Sequence, residues 1–487
     1  MNAPSPRVTT GIEGLDDILS GGLVGSRLYL IEGMPGAGKT TLAFQFLMEG
    51  ARRGEPILYV TLSETEDEVR AMADSHGWSL DGIAIREMLA TENVMEPEEQ
   101  YTVFHPSEIE LFETTKKILI DVERTKPTRI VFDSLSELRL LAGNALRYRR
   151  QILALKHFFA GRQCTVLLLD DMTTSDRDLQ VQSISHGVLL LEQSIPAFGV
   201  PRRRLSVTKF RGSDFRGGYH DYTIRRGGLE VYPRLVAAEH RGESSRERLG
   251  SGLVQLDRLL GGGLERSTST LIQGGAGTGK STLAALFAAQ LAERGGHSAL
   301  FIFDESANTL LSRMKGLGLD LRKHVDSGHI AIKQVDPAEL SPGEFTHAIR
   351  SAVETNKAQL LVIDSLNGYL NSMPDEKFLI VQMHELLTYL GQMSVATVLI
   401  GAHQGMISAH MSTPVDISYL ADAVVLLRYF EAEGEVRQAV SVMKMRGGAH
   451  ERTIREFSMK DGRIQVGEPL REYRGVLTGV PEKRSRA

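Results

Sequence analysis

Short runs of apolar residues alternate along the chain with segments whose apolar positions have helical spacing. In the first half, the apolar runs are 27–32, 56–61, 129–133 and 165–169, and the helical stretch 41–47 follows the first of them. The second half repeats this pattern with the runs 299–303, 360–364 and 396–400. Continuous β-prone runs separated by helices are typical of a parallel sheet buried on both faces, so we predict an α/β fold.

The second half of the chain is a copy of the first. Lys39 and Lys280 are separated by 241 residues, and a later pair, Asp133 and Asp364, by 231. Such a nearly constant offset, shifted only by loop deletions, indicates tandem copies of one domain. We predict a first domain at 1–238, a linker at 239–248, a second domain at 249–472 and a short tail at 473–487.

Composition and charge narrow the class of protein. Of the 487 residues, 42% are hydrophobic and 24% are charged, and the net charge is −5. This charge argues against a general nucleic-acid coat, which would be strongly basic. Cys164 is the only cysteine, so an intrachain disulfide or a thiolate metal cluster is excluded. No apolar stretch approaches the roughly 20 residues that span a bilayer, and no signal pattern opens the chain, so we expect a cytoplasmic protein.

The pattern G-x-x-x-x-G-K-[ST] occurs once in each copy, between a predicted strand and a predicted helix. Glycines in this setting let backbone N–H groups converge on phosphate oxygens at the positive end of a helix. We predict that Lys39 and Lys280 bridge the β- and γ-phosphates of ATP. The predicted nucleotide-binding residues of the loops are Gly33, Gly36, Ala37, Gly38, Lys39, Thr40 and Thr41 in the first copy, and Gly274, Gly277, Thr278, Gly279, Lys280, Ser281 and Thr282 in the second.

A magnesium site is predicted beside each loop. The hydroxyls of Thr40 and Ser281 follow the loop lysines and would bind Mg²⁺ directly. Asp133 and Asp364 each end an apolar strand, where a carboxylate can hold the same ion through water. A lone aspartate ending a strand is usually a turn residue, but its repetition in both copies favours the metal role.

Candidate catalytic bases lie at the end of the strand after each loop helix. The first copy has Ser63 and Glu64 there, and the second has Asp304 and Glu305. Ligands of parallel sheets bind at the carboxyl ends of the strands, so these side chains would face the nucleotide together with the loop lysines. The alternative is that Glu64 is only an acidic residue in the first turn of a helix.

A second duplicated motif carries two cations late in each copy. It comprises Lys209, Phe210 and Arg211 in the first copy, and Lys444, Met445, Arg446 and Gly447 in the second. Alternation puts both charges on one side of a strand, which is often only a solvated face. Beside a glycine in both copies, the motif better suits cations that reach a γ-phosphate across a subunit boundary. This role requires an oligomer.

Together these motifs resemble the KaiC family of double-domain RecA-like ATPases, including its non-cyanobacterial members. The resemblance covers nearly the whole chain and implies two tandem RecA-like P-loop domains, each with a mostly parallel sheet and helices on both faces. It also implies an ATP-dependent homohexamer of two stacked rings, with ATP at subunit interfaces. The second domain would be a serine/threonine autokinase and autophosphatase. We also assign Ser75 to the nucleotide-binding residues.

The sequence departs from the family pattern at the phosphoacceptor pair and at the C-terminus. Ser418 and Tyr419 stand where the family has adjacent serine and threonine, and the tyrosine oxygen lies several ångström farther from its backbone. Two-site phosphorylation is therefore not expected. The chain after Phe457 is shorter than the family tail that binds an activating partner, so we do not expect regulation by a KaiA-like activator.

Two other functions use the same motifs. One is a nucleotide-gated scaffold that signals to a partner such as a KaiB-like protein or a sensor histidine kinase. The other is a RecA-like nucleic-acid motor, with residues 202–204 lining a channel. The acidic net charge and the lack of interleaved basic and aromatic residues argue against nucleic acid as a partner. We expect no membrane association.

Overall fold

The chain folds into two compact units, Met1–Arg234 and Leu235–Ala487. The computed structural model describes residues 6–88, 106–172, 179–196, 199–240, 242, 245–370, 376–402, 419–460, 462–478 and 481–483. The boundary falls shortly before the predicted one at 238 because Leu235 and Ala237 pack in a hydrophobic core of the second unit.

The first unit contains eleven strands and seven helices within its described residues. Its strands are β1 (Arg7–Val8), β2 (Leu23–Val24), β3 (Leu28–Gly33), β4 (Ile57–Thr61), β5 (Ile83–Glu87), β6 (Arg129–Asp133), β7 (Thr165–Asp170), β8 (Gly187–Ser194), β9 (Arg202–Phe210), β10 (Tyr219–Arg225) and β11 (Gly228–Tyr232). Its helices are α1 (Glu13–Ile18), α2 (Lys39–Arg52), α3 (Glu66–His76), α4 (Pro106–Thr125), α5 (Leu135–Ala142), α6 (Ala145–Phe159) and α7 (Leu179–Ile184).

Nine of these strands form one sheet in the order β11-β10-β9-β8-β3-β7-β6-β4-β5. The six strands from β8 to β5 are parallel, and β9, β10 and β11 extend the sheet antiparallel. The central strand β3 is buried at every position. Tyr29 and Ile31 pack in the core on one face of the sheet and Leu28 and Leu30 in the core on the other. The sequence of β3 shows no alternation of polar and apolar residues because both faces of the strand are buried.

The second unit has thirteen strands, seven α-helices and two 3₁₀ helices, Ala237–Glu239 and Val476–Thr478, within its described residues. Its strands are β12 (Arg248–Leu249), β13 (Leu264–Glu265), β14 (Ser269–Gly274), β15 (Ser298–Ile302), β16 (Ile330–Gln334), β17 (Leu360–Asp364), β18 (Ala396–Ala402), β19 (Ala423–Ala432), β20 (Glu435–Met445), β21 (Arg455–Lys460), β22 (Arg463–Pro469), β23 (Tyr473–Arg474) and β24 (Glu482–Lys483). Its helices are α8 (Val254–Leu259), α9 (Lys280–Glu293), α10 (Ala307–Gly316), α11 (Arg322–Asp326), α12 (Pro342–Glu354), α13 (Leu366–Leu370) and α14 (Glu376–Gln392).

The second sheet repeats the first. Its order, β22-β21-β20-β19-β14-β18-β17-β15-β16, matches that of the first sheet strand for strand. The strand that precedes each phosphate loop lies at the centre of its sheet, β3 between β7 and β8 and β14 between β18 and β19. The predicted fold, two α/β domains with mostly parallel sheets, is confirmed.

Two segments that we predicted to be a linker and a tail pack against the second unit. In the first, Ser245 donates a backbone hydrogen bond to Ser394 Oγ at 2.9 Å, and β12 pairs with β13. At the C-terminus, β23 pairs with β24, and Lys483 forms an ion pair of 2.9 Å with Glu433. Val476 lies between these strands and is buried in a small hydrophobic cluster. Within the described residues, no helix is long and apolar enough to cross a membrane.

Candidate active site

Each phosphate loop joins the central strand of its sheet to the helix that follows. In the first loop, Gly36 and Gly38 have φ values of 80° and 93°, a region that glycine enters at little cost. An added Cβ at Gly38 would lie 2.6 Å from Ile224 Cδ1, so the end of the Ile224 side chain would have to shift. Helix α2 begins without a side-chain cap, which leaves its first N–H groups directed at the loop. The second loop has the same geometry at Gly277 and Gly279, with φ values of 76° and 96°. Both loops therefore fit a phosphate group.

The loop lysines are held differently in the two copies. Lys39 Nζ donates to the carbonyls of Gly33 and Met34 at 2.7 and 3.2 Å and lies 2.8 Å from Asp171 Oδ1. Lys280 Nζ donates to the carbonyl of Gly275 at 2.7 Å. Burial lowers the pKa of Lys280, against the attraction of nearby carboxylates.

Each loop places a hydroxyl against the predicted metal-site aspartate. Thr40 Oγ1 donates to Asp133 Oδ2 at 2.7 Å, and in the second copy Ser281 lies near Asp364 and favours the charged form of its carboxylate. Burial raises the pKa of both aspartates. Tyr59 also donates to Asp133 Oδ2, at 2.8 Å.

A magnesium ion fits this pair of groups. Hydroxyl and carboxylate oxygens are the ligands that Mg²⁺ prefers, and it usually keeps several waters while binding substrate phosphates. Within the described ranges, no three His, Cys, Asp or Glu side chains are grouped to hold a metal ion. An ion at Thr40 and Asp133 would therefore take its remaining ligands from phosphate and water.

The first candidate base, Glu64, lies outside the helix that follows it. Helix α3 begins at Glu66, and Thr65 is its N-cap in a capping box with Glu68. The alternative that Glu64 is a first-turn acid is therefore wrong. Glu64 is an exposed residue, but partial burial of its carboxylate raises its pKa and the charge of Asp133 raises it further, which indicates that the two carboxylates lie near one another. Ser63 is exposed beside it.

In the second copy, one of the two candidate bases is already paired. Glu305 forms an ion pair of 2.5 Å with Arg313, which also donates to Thr282 Oγ1 at 3.2 Å. Asp304 affects the pKa values of both Lys280 and Asp364, which indicates that it lies near them. Asp304 and Glu305 thus have different surroundings.

The Lys-x-Arg cations and the phosphate loop of the same copy lie at opposite ends of the strands of their sheet. Lys209 of β9 pairs with Val188 of β8, and Val188 in turn pairs with Leu30 near the start of β3. The phosphate loop lies at the other end of β3, after Gly33. Three residues of strand correspond to about 10 Å. The second copy repeats this register, since Lys444 pairs with Val424 at the start of β19. In neither copy does the motif point toward its own loop.

These cations bind backbone carbonyls in the structure. Lys209 and Arg211 donate to Ser183 O at 3.2 and 3.3 Å, near the end of α7. Lys444 donates to Ala421 O at 2.8 Å and Arg446 to Tyr419 O at 3.1 Å.

The other assigned residues have varied environments. Phe210 is buried against Tyr29, at 5.9 Å between ring centroids, so its side chain serves the core. Ser75 lies on α3 and donates to Met72 O at 2.6 Å. Tyr419 is exposed, and Ser418 lies outside the described residues.

Comparison with known proteins decides the family. The family model described as the KaiC ATPase matches residues 8–236 and 249–471. The chain belongs to the KaiC ATPase family. The match covers both copies and leaves out residues 237–248, which include the whole segment 239–248 that we predicted as a linker.

KaiC proteins of cyanobacteria are similar over almost their full length. The chain is 28% identical over 486 residues to the circadian clock oscillator protein KaiC of Parathermosynechococcus lividus, covering 98% of this chain and 88% of that protein. It is 28% identical to the KaiC of Synechococcus elongatus, covering 98% and 92%. It is 27% identical to the circadian clock protein KaiC3 of Synechocystis, covering 98% and 94%. The resemblance inferred from the motifs is confirmed.

Sequence reasoning did not find three residues beside the phosphate loops. Tyr59 contacts Asp133, Asp171 contacts Lys39, and Arg313 contacts Glu305. Only Asp171 gave a local signal, as the second of two acids that end the apolar run 165–169.

Proposed function

We propose that the chain binds MgATP at both phosphate loops and hydrolyses it in an assembly of like chains. The observation that carries this proposal is the duplicated set of a loop lysine, a loop hydroxyl and a strand-end aspartate. Thr40 Oγ1 and Asp133 Oδ2 lie 2.7 Å apart in one copy, and in the other Ser281 is close enough to Asp364 to act against the rise of its pKa. Membership in the KaiC ATPase family supports the same activity.

Each group has a role in this proposal. Lys39 and Lys280 bind the β- and γ-phosphate oxygens, and the N-termini of α2 and α9 orient them. Bound Mg²⁺, held by the hydroxyl and the aspartate, supplies positive charge against the phosphate oxygens. In the first copy, Glu64 accepts the proton of the attacking water as its oxygen bonds to the γ-phosphorus and ADP leaves.

The position of the Lys-x-Arg motifs supports a site that two copies complete. Lys209 and Arg211 lie at the end of the strands opposite their own loop, and we infer that they serve the phosphates of a neighbouring chain. To do so, they would exchange the carbonyl of Ser183 for the stronger acceptor that a phosphate offers. The proposal therefore includes an ATP-dependent ring, and a hexamer on the resemblance to the family.

In the second domain we propose serine/threonine autokinase and autophosphatase activity. The Oγ of Ser418 would attack the γ-phosphorus, its proton would pass to a carboxylate, and ADP would leave. Asp304 is the better base because Arg313 already pairs with Glu305. The longer side chain of Tyr419 would carry its hydroxyl past a site that suits serine.

A nucleotide-gated scaffold is the second candidate. The departure at Tyr419 favours it, since the family's second acceptor hydroxyl is displaced. In that case, the nucleotide-bound conformation would be the output, passed to a KaiB-like protein or a sensor histidine kinase.

Incubation with γ-labelled ATP and Mg²⁺ tests both candidates. We expect release of labelled phosphate and label on Ser418, lost in Ser418→Ala and kept in the matched variant Tyr419→Phe. Ser418→Ala should retain the hydrolysis of the first domain. Phosphate release without protein label would favour the scaffold, and no release by the intact protein would contradict the ATPase.

A further inference from the structure

Asp171 forms an ion pair with Lys39, the lysine of the first phosphate loop. It follows directly after β7, and its Oδ1 lies 2.8 Å from Lys39 Nζ. The carbonyls of Gly33 and Met34 accept the other two hydrogen bonds, at 2.7 and 3.2 Å. An ammonium group has three N–H donors, so all of them are engaged. Since the lysine side chain is only 5% exposed, water adds little to this set.

Asp171 is itself held in place. Ser136 Oγ donates to its second oxygen at 3.2 Å, and Ser134 lies near enough to the same carboxylate to favour its charged form. Although burial acts in the opposite direction, these donors and Lys39 keep the pKa of Asp171 below its usual value. The carboxylate is thus a fixed anion beside the loop.

The second copy lacks this anion. The offset of 231 residues between Asp133 and Asp364 relates Asp171 to Ala402, the last residue of β18, and Ser136 of α5 to Asn367 of α13. Asn367 Oδ1 accepts from the backbone N–H of Ala402 at 2.9 Å. Among the described residues, Lys280 donates to Gly275 O and has no ion-pair partner.

We propose that Asp171 is a positioning residue that holds Lys39 in the nucleotide-free chain and must release it before the lysine can bind phosphate. This inference rests on the proposed function, in which the loops bind ATP. Phosphate oxygens and Asp171 compete for the same donors, and Asp171 also repels the incoming phosphates. The first site therefore binds ATP more weakly than it would without this carboxylate, and the second site carries no such restraint.

The test measures MgATP affinity one site at a time in the full-length chain. In a Lys280→Ala background, Asp171→Asn keeps the size of the side chain and a neutral hydrogen bond but removes the charge. We expect the dissociation constant for a fluorescent ATP analogue to fall roughly tenfold, the difference between charged and neutral hydrogen bonds. The nucleotide-free variant should melt at a lower temperature, because Lys39 loses its counter-charge. A merely structural role would lower both affinity and melting temperature.

The reciprocal change uses the second site. In a Lys39→Ala background, Ala402→Asp places a carboxylate at the matching strand position and should weaken ATP binding there. This variant decides the question alone if Asp171→Asn does not fold.

The outcomes separate the two proposals. If the unmodified chain binds no ATP, the proposed function fails. If that chain binds ATP but Asp171→Asn leaves affinity unchanged or weaker, only the role of Asp171 is overturned. Unchanged affinity in Ala402→Asp would count against it in the same way.

Discussion

Tyr59→Phe tests the magnesium site of the first copy with a change of one oxygen atom. The Tyr59 hydroxyl is 2.8 Å from Asp133 Oδ2, and the ring is fully buried. Phenylalanine keeps the packing but removes one of the two hydrogen bonds that orient this carboxylate, leaving the one from Thr40. Loss of a partner that orients a metal ligand costs roughly 10- to 100-fold in metal affinity. Because Thr40 still holds the carboxylate, we expect a loss near tenfold.

The assay is ATP hydrolysis as a function of Mg²⁺ concentration in a Lys280→Ala background, where only the first site turns over. Tyr59→Phe should raise the half-saturating Mg²⁺ concentration about tenfold and leave the saturated rate within a factor of two. The second copy has Leu300 at the strand position that matches Tyr59, so its metal site does not use a tyrosine. In a Lys39→Ala background, where only the second site turns over, Tyr59→Phe should therefore leave the Mg²⁺ dependence unchanged. An unchanged Mg²⁺ dependence in the first site would refute the assigned role of Asp133.

Three further predictions concern separate parts of the molecule. Lys39→Ala and Lys280→Ala should each remove the ATP hydrolysis of one domain and spare that of the other, which steady-state rates of the two variants will measure. If either variant lost all turnover while its ring stayed intact, the two sites would not be independent. Label incorporation should be abolished in Asp304→Asn and reduced only a few-fold in Glu305→Gln, and the reverse order would assign the base to Glu305. His220 is buried, its ring bridges two backbone groups, and burial lowers its pKa to about 4. Its neutral form therefore stabilises the fold above the ordinary histidine pKa of about 6.5, and on the order of 3 kcal/mol should be lost as pH falls toward 4. His220→Gln should flatten this part of the urea-measured stability profile, and an unchanged profile would show that His220 does not cause it.

The sequence predicts the strands and phosphate loops well because their signals are local. The loop at 33–40 carries its glycines, lysine and hydroxyl within one short run, and the apolar residues 130–132 of β6 lead directly to Asp133. Duplication strengthens each of these signals, since a chance pattern would not recur at nearly the same offset.

Contacts between distant parts of the chain could not be predicted in this way. Asp171 meets Lys39 because β7 pairs with β3, and Tyr59 meets Asp133 because β4 pairs with β6. These pairings follow from the strand order, which no local pattern states. The ion pair of Arg313 with Glu305 depends on the turn before α10 and is equally hidden in the sequence.

Mixing two inactive variants measures most directly whether the sites are completed between chains. One variant keeps the phosphate loops but loses the arginine of each Lys-x-Arg motif through Arg211→Ala and Arg446→Ala. The other keeps those cations but loses the loop lysines through Lys39→Ala and Lys280→Ala. Each alone should release little phosphate from MgATP, and mixing should restore activity, because intact loops then meet intact cations across a boundary. A mixture that assembles by light scattering yet stays as inactive as its components would contradict the shared site.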